Sequence, residues 1–276
     1  MRQVTLPDGT PVPQLGLGTW HMGERAREAA AEVRALRAGI DRGLTLIDTA
    51  EMYGNGGAES VVGQAIAGRR EEVFVVSKAY PQNAGRDSLP RACEASLQRL
   101  GIETLDLYLL HWRGRVPLAE TVEAFGRLVS QGKIRRWGVS NLDTSDMEEL
   151  VAAGGGACAT NQVLYNLGSR GVEFGLLPWC KARRMPVMAY SPLGQGAVLK
   201  DRAVQEVARR HSVSPATVAL AWVLRRPEVI AIPKTASLEH LEQLAIAPDL
   251  ALTDEHRPAL HRAFPPPKKA TPLEII

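Results

Sequence analysis

The chain has 276 residues and a mass of 29.9 kDa, a length that accommodates one or two domains. Its 45% hydrophobic and 23% charged residues are typical of a globular protein and exclude disordered, fibrous and disulfide-rich classes. The 33 basic and 30 acidic residues give a net charge of +3, and the basic pairs are scattered, so we expect no nucleic-acid or membrane-surface partner.

The chain shows neither a membrane-spanning pattern nor an export pattern. Its apolar runs stop short of the ~18 residues that a membrane span needs, and the opening residues lack a charged-then-apolar signal. The three cysteines are widely spaced and form no CxxC, which indicates free thiols in a reducing compartment. We therefore expect a cytoplasmic protein.

The predicted elements begin with a β-hairpin and continue as alternating strands and helices. The hairpin is Gln3–Leu6 and Val12–Leu15 around the turn Pro7-Asp8-Gly9. Eight β-branched or leucine-rich runs follow it, each succeeded by an amphipathic stretch, which predicts parallel βαβ units. The predicted strands are Leu15–Thr19, Leu44–Ala50, Val73–Lys78, Leu105–His111, Trp137–Asn141, Ala159–Asn166, Val187–Ser191 and Val229–Lys234. The predicted helices are Arg27–Arg42, Ser60–Ala67, Ser88–Leu100, Leu118–Gln131, Thr144–Ala152, Ala203–Arg210 and Pro215–Leu224.

Eight such units in about 250 residues match a (β/α)8 TIM barrel, with the hairpin closing the bottom, the N-terminal mouth. The alternative is a doubly wound sheet, which would carry GxGxxG after its first strand, whereas Gly16-Leu17-Gly18 continues as Thr19-Trp20-His21. Because no linker or composition shift divides the chain, we expect a single domain over residues 1–276.

Polar residues stand at the predicted strand ends, where a barrel builds its active site. Asp48, Tyr53, Lys78 and His111 suggest a proton-transfer unit, because an adjacent ammonium lowers the pKa of a tyrosine. Each residue also has a structural interpretation. The Asp–Lys pair is equally consistent with a structural salt bridge, the tyrosine with a loop cap and the histidine with a satisfied core residue.

Seven segments resemble the aldo-keto reductase family. They are IDTAEMYG (47–54), SK (77–78), LDLYLLHW (105–112), GKIRRWGVSN (132–141), NQVLYN (161–166), AYSPLGQG (189–196) and IPK (232–234). The resemblance runs in order from Gly16 to about Leu244 and is strongest to the bacterial methylglyoxal-reductase-like branch. It implies a (β/α)8 barrel that reduces aldehydes and ketones with a nicotinamide cofactor.

The resemblance also implies roles for the four strand-end residues. Tyr53 protonates the alkoxide that forms after hydride transfer, Lys78 lowers the pKa of Tyr53, Asp48 holds Lys78, and His111 positions the carbonyl oxygen. Trp20, Met52 and Trp112 match the family's substrate pocket and join Tyr53 and His111 there.

The cofactor contacts implied by the resemblance include the carboxamide, the pyrophosphate and the 2′-phosphate. NADPH is the expected cofactor, with some use of NADH, because His240 stands where NADPH-specific members usually place Arg, and Leu244 where they often place Asn. The residues expected at the cofactor are Gly18, Thr19, Trp20, Asp48, Ser140, Asn141, Gln162, Tyr190, Ser191, Leu193, Gly194, Gln195, Gly196, Lys234, Thr235 and His240.

The expected substrates are small carbonyl compounds, either dicarbonyls such as methylglyoxal or aromatic aldehydes. The loops over the rim are short and the proline-rich stretch from Phe264 reads as extended, which predicts an open pocket and fast cofactor exchange. Glu51 is expected to disfavour anionic substrates unless it points away. Two alternatives remain open: a nucleotide-binding sensor or regulatory subunit with little turnover, and an enzyme that oxidises a secondary alcohol. Metal-binding and hydrolase motifs are missing, so no metal is expected, and a monomer is the default.

Overall fold

A computed structural model describes residues 1–253 and 255–276, and eight parallel strands dominate it. They are β3 (Leu17–Gly18), β4 (Leu46–Asp48), β5 (Phe74–Ala79), β6 (Leu107–Leu110), β7 (Trp137–Ser140), β8 (Asn161–Leu164), β9 (Val187–Tyr190) and β10 (Val229–Ala231).

Each strand pairs with its neighbours in chain order, and bridges from Leu15 to Ala231 and from Gly18 to Lys234 join the first strand to the last. Two backbone bonds reinforce this seam, from the Gly16 amide to the Ala231 carbonyl and from the Gly18 amide to the Pro233 carbonyl, each 2.9 Å long. The predicted barrel is therefore confirmed.

The N-terminal hairpin closes the bottom of this barrel, as expected. Its strands β1 (Gln3–Thr5) and β2 (Pro11–Pro13) pair antiparallel. Val4, Leu6 and Val12 are buried among inward-facing barrel side chains such as Leu46 and Leu107, so the hairpin and the barrel interior share one apolar core.

Helices follow the strands and cover the outside of the barrel. Those within the described ranges are α1 (Ala26–Asp41), α2 (Gly57–Ile66), α3 (Ser88–Leu100), α4 (Leu118–Ser130), α5 (Thr144–Ala152), α6 (Leu176–Ala182), α7 (Arg202–His211), α8 (Pro215–Leu224), α9 (Leu238–Ala245) and α10 (Arg257–Ala263). The seven predicted helices lie within three residues of these bounds, and three of them have identical bounds. The prediction lacked α6, α9 and α10, each of eight residues or fewer, because two turns are too short for a clear helical period. None of the described helices is long and apolar enough to cross a bilayer.

Among the described helices, α5, α7, α8 and α9 begin at side-chain caps that the sequence encodes locally. At α5 the Asp143 carboxylate accepts from the Asp146 amide, and Asp146 accepts from the Asp143 amide in return. At α8 the Ser214 hydroxyl accepts from the Thr217 amide, and Pro215 occupies the first turn. Such caps satisfy amides that the first helical turn leaves unpaired.

The alternation of side chains along the strands positions the polar residues. On β4, β5 and β9 the apolar residues Leu46, Val76 and Met188 belong to the inner core. Because side chains two residues apart share one face, the next inward positions are Asp48, Lys78 and Tyr190. His111 likewise lies two residues beyond Leu109, and Lys234 two beyond Ile232. The inner face therefore changes from apolar to polar at the carboxyl end of the barrel.

Candidate active site

A cavity of about 440 Å³ opens at the carboxyl ends of the strands. Its polar lining includes Asp48, Tyr53 and His111, and its apolar lining includes Met52 and Trp112. Lys78 lies beneath it and has no exposed surface. The remaining lining residues are Gly18, Thr19, Trp20, Ser140, Asn141, Gln162, Tyr190, Ser191, Ile232, Lys234, Ile275 and Ile276.

Lys78 is the centre of a buried hydrogen-bond cluster. Its Nζ donates to Asp48 Oδ1 at 2.6 Å, to the Thr49 carbonyl at 2.9 Å and to Tyr53 Oη at 3.2 Å. These three acceptors match the three protons of an ammonium group. The same nitrogen lies 4.7 Å from the centroid of the Tyr53 ring. Asp48, Lys78 and Tyr53, which the sequence places at or just past the strand ends, are therefore in direct contact.

Burial and charge oppose each other in this cluster. Burial disfavours the ammonium, but the Asp48 carboxylate and Tyr53 outweigh it and raise the pKa of Lys78. Burial raises the pKa of Asp48, and Lys78 offsets only part of that change. The pKa of Tyr53 is also raised, because burial outweighs the opposite effect of Lys78. The sequence led us to expect a lowered tyrosine pKa, but the ammonium only limits the rise. Tyr53 therefore carries its proton at neutral pH.

His111 is a neutral imidazole at the side of the cavity. Burial, and secondarily the charge of Lys78, lower its pKa to about 2. Its ring meets the Tyr53 ring edge to face, with centroids 5.7 Å apart. Within the described residues its Nδ1 has no hydrogen-bond partner. A neutral imidazole in this position has an N–H that can donate to a ligand oxygen beside the tyrosine hydroxyl.

The loop that carries Tyr53 depends on glycine. After the tyrosine, Gly54, Asn55 and Gly56 have φ values of 56°, 53° and 85°, a left-handed run that glycine adopts without a steric penalty. A Cβ on Gly54 would also lie 2.9 Å from the Met22 carbonyl oxygen. The run turns the chain directly into α2 and fixes the tyrosine above Lys78.

The wall opposite Tyr53 consists of amide and hydroxyl side chains. Asn141 Nδ2 donates to the His111 carbonyl and to Ser140 Oγ, both at 3.2 Å, and Asn141 Oδ1 accepts from Tyr190 Oη at 3.0 Å. Gln162 Nε2 donates to Asp48 Oδ2 at 2.8 Å. The residues expected at a nicotinamide ring are therefore adjacent, and they already form hydrogen bonds with one another.

The other residues expected at the cofactor lie further along the rim. Leu193 precedes short 3₁₀ turns over Gly194–Lys200, in which Gln195 and Gly196 have φ values of 51° and 89°. Thr235 Oγ1 accepts from the Ser237 amide at 3.1 Å. His240 lies exposed in the first turn of α9.

The end of the described chain was not expected at the site. Ile275 and Ile276 line the cavity, Leu273 packs against the core, and the Phe264 carbonyl accepts from Arg170. The stretch after Phe264 therefore returns to the mouth of the cavity and narrows the open pocket that the sequence predicted. Two adjacent isoleucines in a polar, proline-rich stretch were the only available signal.

Glu51 faces away from the cavity. Its Oε1 accepts from the Tyr80 amide at 2.6 Å and from Asn83 Nδ2 at 2.9 Å, which ties two rim loops together. Its expected repulsion of anionic substrates is therefore weakened. Tyr80 in turn meets Trp112 edge to face, with ring centroids 5.8 Å apart, so this contact supports the apolar wall.

In the described part of the chain no three His, Cys, Asp or Glu side chains are grouped so as to hold a metal ion. Cys93, Cys158 and Cys180 are buried free thiols, and burial raises the pKa of each to about 12. Raised pKa values make these thiols poor nucleophiles.

Comparisons with known proteins agree with this geometry. The chain is 55% identical over 271 residues to the methylglyoxal reductase YeaE of Escherichia coli, covering 96% of this chain and 95% of that protein. It is 34% identical over 252 residues to a glyoxal reductase of Bacillus subtilis, covering 91% of this chain and 89% of that protein.

A crystal structure of an aldo/keto reductase from Klebsiella pneumoniae in complex with NADP and acetate superimposes with a TM-score of 0.97. It has 53% sequence identity and covers 100% of this chain and 99% of that one. A second Klebsiella structure, in complex with NADPH, has the same TM-score and 54% identity, with the same coverage of both chains. The model of the aldo/keto reductase family matches residues 14–263. The chain therefore belongs to the aldo/keto reductase family and is an NADP-dependent oxidoreductase.

Proposed function

We propose that this reductase converts small aldehydes and 2-oxoaldehydes, methylglyoxal among them, into alcohols with NADPH, and that Tyr53 is the proton donor. The observation that carries the proposal is the 3.2 Å bond between Lys78 Nζ and Tyr53 Oη at the floor of an apolar cavity. Trp20, Met52 and Trp112 line this cavity beside the tyrosine. The named activities of the relatives from Escherichia coli and Bacillus subtilis support the substrate class.

The residues of the cavity fit a nicotinamide ring. Ser140, Asn141 and Gln162 offer polar groups for the carboxamide, and the half-buried Tyr190 ring offers a flat surface for stacking. Lys234 is exposed at the rim, where it would attract a phosphate group. When bound, NADPH supplies the hydride that reduces the carbonyl carbon. Because His240 offers a ring nitrogen where an arginine would offer a charged fork, we also propose some use of NADH.

The proton reaches the product from Tyr53. As the carbonyl carbon is reduced, its oxygen gains negative charge, and the tyrosine hydroxyl donates its proton to that oxygen. Lys78 then stabilises the phenolate through the same 3.2 Å contact. Asp48 keeps Lys78 ionised and in place through its 2.6 Å bond. Neutral His111 donates a hydrogen bond to the carbonyl oxygen and so orients it without competing as an acid.

The cavity sets the size of the substrate. Its volume of about 440 Å³ includes space for the nicotinamide, and Ile275 and Ile276 narrow the mouth. A two- or three-carbon dicarbonyl would fit beside Tyr53 without displacing these side chains. We propose further that the protein is cytoplasmic, acts as a monomer and does not bind nucleic acid, in keeping with its mild charge and reduced cysteines.

The test is oxidation of NADPH, followed at 340 nm with methylglyoxal, glyoxal and an aromatic aldehyde, and repeated with NADH. Tyr53→Phe is expected to lower turnover by ~10²–10⁴-fold and to leave NADPH affinity, measured by fluorescence titration, within about twofold. Tyr108→Phe is the matched control, because this tyrosine is buried against Phe125 on the outer face of the barrel.

Wild-type turnover in Tyr53→Phe would show that another group is the acid. Tight binding of NADPH with no turnover of any carbonyl would instead favour a nucleotide-binding regulatory protein.

A further inference from the structure

The two oxygens of the Asp48 carboxylate accept hydrogen bonds from different residues. Oδ1 accepts from Lys78 Nζ at 2.6 Å, and Oδ2 accepts from Gln162 Nε2 at 2.8 Å. Asp48 and Gln162 are each only 1% exposed, so solvent does not replace either donor. A buried carboxylate oxygen without a donor is costly, and Gln162 is the only donor to Oδ2 among the described residues.

The contact fixes the orientation of the glutamine amide. A carboxylate can only accept, so the nitrogen of Gln162 must face Asp48. The carbonyl oxygen Oε1 has no hydrogen-bond partner in the described part of the chain, although the residue lines the cavity. The base of the side chain is also fixed. The backbone carbonyl of Gln162 accepts from the Asn141 backbone amide and from Ser140 Oγ, each at 2.9 Å.

We propose that Gln162 is a positioning residue for the buried Asp48–Lys78 pair. It acts through Asp48 and Lys78 on Tyr53, in addition to any contact with the cofactor. The hydrogen bonds run without interruption from Gln162 through Asp48 and Lys78 to Tyr53 Oη. The catalytic part of this inference rests on the proposed function, whereas the bond itself can be tested on the protein without cofactor.

The fixed amide also restricts what the cavity can recognise. Because the amide nitrogen donates to Asp48 Oδ2 and contacts Met188 Sδ at 3.9 Å, Gln162 presents only its oxygen, an acceptor, to a ligand. A ligand group next to Oε1 must therefore donate, as the NH₂ of a carboxamide does, and a carboxylate there would be repelled. The dinucleotide that carries nicotinic acid in place of nicotinamide should accordingly bind more weakly than NADP.

The test is a double-mutant cycle with Gln162→Met, which keeps the length of the side chain and removes the donor, and Asp48→Asn, which removes the carboxylate charge. In urea unfolding without cofactor, Gln162→Met should raise the unfolding constant about tenfold in the wild-type background. In the Asp48→Asn background, Gln162→Met should raise the unfolding constant by less than about threefold, because the buried charge is no longer present. Met188→Leu is the control, because Met188 Sδ lies 3.9 Å from the same amide nitrogen. This variant should change the unfolding constant by less than about twofold.

Activity gives an independent readout. Gln162→Met should lower kcat about tenfold and change the KM of the aldehyde by less than about twofold. A cofactor contact alone would instead raise the Kd of NADPH and leave kcat at saturation unchanged. The kcat of Gln162→Glu, taken relative to that of the wild type, should rise as pH falls from about 8 to about 5.5. A protonated glutamic acid can again donate to Asp48 Oδ2.

The proposal would be overturned if Gln162→Met raised the unfolding constant by the same factor in the wild-type and Asp48→Asn backgrounds. A loss of kcat in Gln162→Glu that does not change with pH would also overturn it. Failure of the wild-type protein to reduce any carbonyl would overturn the proposed function, while the unfolding cycle would still decide whether the Gln162–Asp48 bond holds the pair.

Discussion

The buried imidazole of His111 is expected to destabilise the fold in mild acid. Burial and Lys78 lower its pKa from 6.5 to about 2, so the folded protein keeps it neutral while the unfolded chain protonates it below pH 6.5. The unfolded state then binds more protons, and the free energy of unfolding rises with pH across this window. Stability is therefore lost as pH falls from 6.5 towards 2.

The size of the effect follows from the two pKa values. Between pH 7.5 and pH 5.5 the contribution of His111 to the free energy of unfolding falls by about 1.4 kcal/mol. Only the unfolded chain takes up the proton in this window, and pH 5.5 lies one unit below its pKa of 6.5, which corresponds to about 1.36 kcal/mol. Any folded pKa below about 4.5 gives the same figure, because the imidazole then stays neutral at both pH values.

The assay is urea unfolding of the wild type and of His111→Gln at the two pH values. On acidification from pH 7.5 to pH 5.5, the free energy of unfolding of the wild type should fall by about 1.4 kcal/mol more than that of His111→Gln. His21→Gln is the control, because it removes a surface imidazole and leaves His111 in place, so the loss that His111 causes should remain. An identical pH dependence in wild type and His111→Gln would show that the folded protein protonates His111. That result would refute its role as a neutral hydrogen-bond donor.

Three further outcomes are expected. Asp143→Ala removes the cap of α5 and should lower stability by about 1 kcal/mol, or about 2 °C in Tm, whereas Asp143→Asn should cost less than half of that in the same thermal scan. Gly18→Ala places a Cβ 2.8 Å from the Ile232 carbonyl oxygen at the barrel seam and should cost about 1–3 kcal/mol in urea unfolding; an unchanged midpoint would mean that the seam is looser than the structure has it. Alanine at both Ile275 and Ile276 should raise kcat/KM for a bulky aromatic aldehyde relative to methylglyoxal by about threefold or more, and an unchanged ratio would show that these side chains do not limit substrate size.

The sequence determined the fold largely through local signals. Runs of β-branched or leucine-rich residues, each followed by an amphipathic stretch, identified the eight strands and the longer helices. The predicted starts of α5 and α8 coincide with the observed ones. The short helices α6, α9 and α10 were missed because two turns of helix carry too few residues to show a period. Their formation depends on packing against the barrel and is visible only in three dimensions.

The identity of the strand-end residues was also available from the sequence, because polar residues stand where the apolar strand runs end. Their partners were not. The bond from Gln162 to Asp48 joins residues 114 positions apart, and the isoleucines at 275 and 276 reach the cavity only after the chain has crossed the rim. Contacts between distant segments depend on how the barrel closes, which no local pattern encodes.

The protonation states were likewise decided by the tertiary structure. The sequence placed an ammonium beside Tyr53 and so predicted a lowered tyrosine pKa, yet the pKa is raised. The neutral state of His111 was equally invisible in its residue type. Both outcomes follow from desolvation, which scales with the burial of each group in the closed barrel. The sequence alone thus determined which polar residues end the strands, and the folded structure determined their partners and which of them hold protons.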